Sequence, residues 1–289
     1  MSSVSGTHGS HAVAEPPPRT SRAGRDLVAA ISVGVVLGAV VLASLLIERH
    51  LFLGVIALAA AIGTVELAGA LRRGAGIEVP LPVLLVGGQA IVWLAWPFGL
   101  AAVAVAFAGT VLAVVLWRMR AGTLNYLRDV SAGVFIAAYV PLLCSFASLM
   151  TVAPDGTGRI ITFILCVVAS DVGGYTTGVL AGRHPMAPTI SPKKSWEGFA
   201  GSLTAGMIAG ALAVAFLLDG QWWAGALTGA LLVVCATLGD LVESMIKRDI
   251  GIKDMGNLLP GHGGLMDRLD SLLPTALVAW AVLSLVVPA

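Results

Sequence analysis

From residue 27 onward the chain repeats one pattern, an apolar run of about twenty residues followed by a short polar break. A helix needs roughly 20 apolar residues to cross a hydrocarbon layer of about 30 Å. Read this way, the sequence predicts crossings at Leu27–Ile47, Leu51–Leu71, Leu81–Pro97, Gly99–Trp117, Val130–Met150, Ile160–Ala181, Phe199–Leu218, Trp222–Ile246 and Ser271–Val287. The third and fourth runs are nearly continuous. Pro97 and Gly99, both poor residues for a helix interior, mark the cut between them. The expected organisation is a polar tail over residues 1–25, five crossings in 26–150, and four in 151–289 with large loops at 182–198 and 247–270. The tail, rich in Ser, His, Gly and Pro, buries too little apolar surface to order itself. The run after it is too long for the apolar region of a cleaved leader.

Composition agrees with a bilayer setting. The 289 residues are 57% hydrophobic and 11% charged, with a mean hydropathy of +0.93. Soluble domains carry about 25% charged residues, so water cannot be the solvent around most of this chain. The expected fold is an all-α polytopic membrane protein of about nine transmembrane helices. Charge placement orients it. With a cytoplasmic N-terminus, fifteen of the seventeen Lys and Arg fall on the inner side, leaving only Arg49 and Arg159 outside. The C-terminus is then outside, and both large loops face the cytoplasm from an inner (plasma) membrane. A net charge of +1 identifies no partner, and no nucleic acid is expected. Cys144, Cys166 and Cys235 lie in apolar runs without metal-ligand spacing, as buried small hydrophobes do.

The candidate chemistry gathers near the ends of runs eight and nine. Asp240, Glu243, Ser244 and Lys247 are spaced i, i+3, i+4, i+7, one stripe on a helix. Asp267 and Asp270 are one turn apart where run nine begins, so Asp240 and Asp267 can face each other across a short loop. Carboxylates near hydrocarbon are functional candidates. A facing pair repels unless a proton or cation intervenes, and magnesium suits a phosphate substrate because it takes one or two carboxylates plus phosphate oxygens. A structural ion-pair network with Lys247, Arg248 and Arg268 is the competing account, but such a network needs no glycines. Here Pro260-Gly261-His262-Gly263-Gly264 precedes the ninth run, a turn whose backbone N–H groups can approach phosphate. Lys247, Arg248, Lys253 and Arg268 lie within reach of it.

Two further elements point to the same place. Ser191-Pro192-Lys193-Lys194-Ser195-Trp196-Glu197-Gly198 puts two adjacent lysines at the inner face, and Asp171 stands well inside run six. Gly174, Gly178 and Gly182, then Gly198, Ser202, Gly206 and Gly210, recur every fourth residue. Small residues at this spacing let helices pack closely. Tight pairing of runs six and seven beside eight and nine would bring Asp171 and the lysine loop to Asp240 and Asp267.

The run Ser244-Met-Ile-Lys-Arg-Asp-Ile-Gly-Ile-Lys-Asp-Met-Gly-Asn-Leu-Leu-Pro-Gly-His-Gly-Gly-Leu-Met-Asp-Arg-Leu-Asp270 resembles the signature of the phosphatidate cytidylyltransferase (CDP-diacylglycerol synthase) family. Ser191–Gly198 resembles a second family stretch, with Ser195 where Thr is usual, and Ser170-Asp-Val-Gly-Gly-Tyr175 a third, with Gly174 where Ala is frequent. The clear likeness spans about residues 165–270; the first five runs match only in general character. The resemblance implies transfer of CMP from CTP to phosphatidate, giving CDP-diacylglycerol and pyrophosphate, with magnesium, a possible second cation, and a homodimer. It implies Asp240 and Asp267 as metal ligands and Asp171 and Asp270 in support. Lys193, Lys194, Lys247, Arg248, Lys253 and Arg268 are then phosphate partners, and Asp254, His262, Gly263 and Gly264 lie on the substrate-binding turn. Two other activities fit parts of the pattern. One is a CTP-dependent lipid kinase. The other is an ion-coupled transporter using Asp171 and Glu66, although no repeat of the kind transporters use is visible.

Overall fold

A computed structural model describes residues 23–258 and 263–287. The chain forms long helices α1 (Ala23–Ile47), α2 (Arg49–Ala75) and α3 (Leu81–Arg118), then α4 (Tyr126–Ala137) and α5 (Leu143–Val152). There follow α6 (Gly156–Ala181), α7 (Trp196–Leu217), α8 (Trp222–Asp249), the single turn α9 (Met266–Leu269) and α10 (Leu272–Val286). Of the predicted tail, residues 1–22 lie outside the described part, and Ala23 to Arg25 already belong to α1. Among the described residues, seven helices are long and apolar enough to cross a membrane, α4–α5 and α9–α10 each counting as one. α1 contributes a shorter apolar stretch, Gly34–Ile47.

α3 is where length misleads. Thirty-eight residues in one straight helix would reach about 57 Å, nearly twice the hydrocarbon thickness. The helical backbone is broken at Gly99 (φ 67°, ψ −159°), two residues after Pro97. A Cβ at Gly87 would lie 2.2 Å from Thr110 Oγ1, so the residues before and after Gly99 fold back on each other. At the tip of this hairpin, Trp96 meets the His50 ring at 4.6 Å. The cut read from Pro97 and Gly99 is therefore a real turn, and the positive φ requires glycine there.

α4 and α5 form one continuous run with a π-turn at Ala138–Leu142 around Pro141, which lacks the N–H that a regular α-helix would use. The two ends of the bundle differ chemically. Arg49 donates to the carbonyls of Ala153 (2.8 Å) and Pro154 (2.6 Å), and Arg159 to that of Val287 (2.6 Å), so the two arginines set apart by the charge count share one end with the last described residue. The opposite end holds the lysine loop and the 247–270 loop.

The small-residue faces pack as their spacing predicts. Gly174 and Gly178 of α6 lie against Ser202 and Gly198 of α7, and Gly206 and Gly210 of α7 lie against Gly229 and Gly225 of α8. A Cβ at Gly229 would come within 2.0 Å of the Gly206 carbonyl oxygen, where no side chain can yield. Gly229→Ala is expected to lower stability by about 1–3 kcal/mol through overpacking. Gly54→Ala, which meets nothing within 4 Å, should be neutral or slightly stabilising. Unfolding midpoints of the two purified variants check this; equal midpoints would show the α7–α8 contact to be loose.

The fold is all-α as expected, with one short non-helical element in a loop. Within the 182–198 loop, β1 (Pro185–Ala187) and β2 (Ser191–Ser195) form a two-stranded antiparallel hairpin. Both strands are edges, so Pro185 and Pro192 cost little pairing.

Candidate active site

α7 begins where the hairpin ends, and its start is heavily capped. Ser195 Oγ accepts the Gly198 N–H (3.1 Å), while Glu197 accepts the N–H groups of Arg183 and His184. This fixes β2 across the end of the α6–α7 pair and aims Lys193 and Lys194 inward. On α8 the predicted stripe is present. Lys247 Nζ lies 3.1 Å from Glu243 Oε2, an i, i+4 pair in the favourable order, and 3.0 Å from Asp267 Oδ1. Glu243 is fully buried, and the Lys247 ammonium thus joins α8 to α9 at its base.

Asp267 is held from several directions. Its carboxylate accepts N–H bonds from Met255 (3.0 Å) and Gly264 (2.8 Å) besides the lysine. The turn at Gly263 has φ 79°, and a Cβ there would stand 2.9 Å from Asp267 Oδ2, so glycine is required on both counts. Asp240 forms an ion pair with Lys194, and Ser244 Oγ lies 3.5 Å away. Asp270 accepts the Ser271 N–H at 2.6 Å.

These elements enclose a cavity of about 430 Å³. Its walls include Asp171 of α6, Lys193 and Lys194 of β2, Asp240 of α8, and Asp267, Arg268 and Asp270 around α9. The convergence expected from the close-packed helices is therefore observed for half of the fourteen residues singled out in the sequence. Lys247 stands behind the wall, bonded to Asp267. Gly263 and Gly264 shape the Asp267 turn, and Asp254 touches it: the Gly263 Cβ position is 3.3 Å from Asp254 Oδ1. Arg248 and Lys253 are exposed and outside the cavity lining; Arg248 Nε lies 3.5 Å from the Ile190 carbonyl at the hairpin tip. His262 lies outside the described residues.

Three groups near the site are given no part in it by the sequence: Glu66 is named only for the transporter reading, Arg73 counts only as inner-side charge, and Tyr139 is not singled out. Tyr139, on the π-turn, has a buried hydroxyl without a hydrogen-bond partner in electrostatic range of Glu243, Asp270 and Asp240. π-turns concentrate at functional sites, but a lone Tyr in an apolar run gives no such signal. Glu66 and Arg73 of α2 bond the backbone of the Asp267 turn, to Met266 N–H and Met255 C=O, each at 2.7 Å.

The charge balance decides what the cavity can accept. Four carboxylates (Asp171, Asp240, Asp267, Asp270) face three cations (Lys193, Lys194, Arg268), with Glu243 and Lys247 cancelling just behind. Lys194 and Lys247 are already paired with carboxylates. A polyanion entering here needs further positive charge. The donors are hard oxygens, and among the described residues no three His, Cys, Asp or Glu are grouped to hold an ion by themselves. Carboxylate oxygens are the donor type that magnesium takes, one or two of them beside waters and substrate phosphates.

Fold and site together define a multi-pass membrane protein with a mixed-charge cavity at one end of its bundle. The chain belongs to the cytidylyltransferase family, whose model matches residues 28–286. Its relatives carry a common name. A phosphatidate cytidylyltransferase of Mycobacterium bovis is 50% identical over 284 residues, 94% of this chain and 92% of its own length. That of Mycobacterium leprae is 50% identical over 92% of this chain and 90% of its own. The Synechocystis protein of the same name is 41% identical over 136 residues, 46% of each chain. The likeness thus extends beyond residues 165–270 into the N-terminal helices, and the protein is a membrane nucleotidyltransferase.

Proposed function

We propose that this protein transfers CMP from CTP to phosphatidate, releasing pyrophosphate and forming CDP-diacylglycerol for phospholipid biosynthesis. The observation that carries this is the single cavity in which Asp171, Lys193, Lys194, Asp240, Asp267 and Arg268 meet, in a chain 50% identical to phosphatidate cytidylyltransferases over nearly its whole length. An oxygen of the phosphatidate phosphate attacks the α-phosphorus of CTP. The new P–O bond forms as the bond to the β-phosphate bridging oxygen breaks, and the electron pair leaves with pyrophosphate. The nucleophile is already ionised at neutral pH, so no general base is needed. Catalysis is alignment of two anions and neutralisation of developing charge.

Lys193, Lys194 and Arg268 supply that neutralisation from the cavity wall, and Lys247 holds Asp267 in place. Asp240 and Asp267 would hold magnesium, with Asp171 and Asp270 supporting; the ion would screen the phosphates and stabilise the departing pyrophosphate. Lys194 releases Asp240 as substrate enters and turns its ammonium to a phosphate. The lipid arrives sideways: Tyr175, 75% exposed, lines the cavity and continues the exposed apolar surface of α6 through Val172 and Val179. Trp196 and Phe199, packed edge to face at 6.1 Å at the start of α7 with Phe199 in the cavity wall, would serve as an interfacial aromatic pair.

We further propose nine crossings, the two arms of α3 counted separately and α1 included. The N-terminus and active site face the cytoplasm of an inner membrane, the C-terminus faces outside, and the enzyme works as a homodimer. Charge supports the orientation, since Arg49 and Arg159 are grouped at the end away from the cavity. Purified protein with magnesium, phosphatidate and CTP labelled on either the α- or the γ-phosphorus tests the reaction. Label should enter the lipid only from the α-position, with one pyrophosphate released per lipid. Lipid labelled from the γ-position would establish a kinase instead, and no labelling with either would overturn the enzyme assignment.

A further inference from the structure

Glu66 and Arg73 lie on α2, none of whose residues lines the cavity that holds Asp267. They are seven residues apart, two turns of one helix face. Glu66 Oε2 accepts the Met266 N–H at 2.7 Å, beside Asp267. Arg73 Nη2 donates to the Met255 carbonyl at 2.7 Å, and the N–H of Met255 is itself bonded to Asp267. Gly256 and Gly264 close on Glu66 from two sides: a Cβ at either would lie 2.2 Å from Oε1 or 2.5 Å from Oε2. Glu66 Oε1 is buried and has no hydrogen-bond partner, so the carboxylate is held by shape as much as by bonding. The two strands of chain that Glu66 and Arg73 grip are those whose N–H groups fix Asp267.

We propose that Glu66 and Arg73 are positioning residues for Asp267, which makes α2 part of the active-site scaffold. This rests on Asp267 belonging to the reacting site. Glu66 and Arg73 border a separate cavity and are absent from the wall of the one that holds Asp171, Asp240 and Asp267, so neither touches the reacting groups. Their effect passes through the Asp267 turn, and a misplacement of about 1 Å at a reacting group can cost about a hundredfold in rate.

The test uses full-length protein in detergent, with turnover, magnesium-dependent CTP binding by calorimetry, and the unfolding midpoint measured together. Glu66→Ala should lower turnover and CTP affinity each about tenfold or more per folded molecule. Glu66→Gln, which keeps an acceptor for the Met266 N–H, should recover most of both. Gly256→Ala should resemble Glu66→Ala, because its methyl takes the space of Oε1. In the Glu66→Ala background, where that space is open, it should add little. Unchanged CTP affinity in folded Glu66→Ala overturns the proposal, as does a full additional loss from Gly256→Ala in that background. If Glu66→Ala does not fold, Arg73→Met decides: weaker CTP binding supports the proposal and unchanged binding overturns it. Wild-type protein that binds CTP yet releases no pyrophosphate refutes the proposed reaction and leaves this positioning test intact.

Discussion

Asp240→Asn is expected to reduce CDP-diacylglycerol formation by about a thousandfold while leaving the protein folded, the scale seen when one preorganised electrostatic group is removed from a reacting centre. Asp240 is 37% exposed and its ion-pair partner Lys194 is 24% exposed, so loss of the charge strands no buried group. Asp267→Asn should be at least as damaging to rate and should also loosen its loop. Every recorded partner of the Asp267 oxygens is a donor: Lys247, the Met255 N–H and the Gly264 N–H. An amide offers one oxygen and one NH2, so at least one of those donors would face another donor. Product formed per folded molecule, with the unfolding midpoint as control, separates the two effects. Near-normal turnover in Asp240→Asn would remove that residue from the reacting site.

The sequence was informative where chemistry is local. Apolar run lengths marked the helices, Pro97 and Gly99 marked the hairpin in α3, and fourfold spacing of small residues marked the α6–α7 packing that carries Asp171 to the cavity. The contacts from α2 to the Asp267 turn were hidden because they join distant segments. Glu66 and Met266 are 200 residues apart, and Arg73 and Met255 are 182 apart, a relation that leaves no periodic trace. Arg118 and Arg128 counted only as inner-side charge, yet both hold the buried carboxylate of Asp129, at 2.8 and 3.3 Å. The β1–β2 hairpin was invisible for another reason: strands of three and five residues, broken by prolines, are too short to show alternation.

Lys247→Ala should be the most destabilising single change near the site. Glu243 has no exposed side-chain surface, and its Oε2 is bonded to Lys247; Asp267, 6% exposed, shares the same ammonium. Breaking a buried ion pair from one side leaves an uncompensated charge and costs about 3–5 kcal/mol, whereas replacing both partners by neutral groups of similar volume is often nearly neutral. Lys247→Ala is therefore expected to unfold at markedly lower denaturant, and Glu243→Gln combined with Lys247→Met to regain at least half of that loss. Turnover should not return with stability, because Asp267 still lacks its cation. A double variant as unstable as Lys247→Ala would mean that the lysine acts through Asp267 alone. Recovery of stability without activity would assign the ammonium two separable tasks, joining α8 to α9 and setting the charge on the carboxylate that faces substrate.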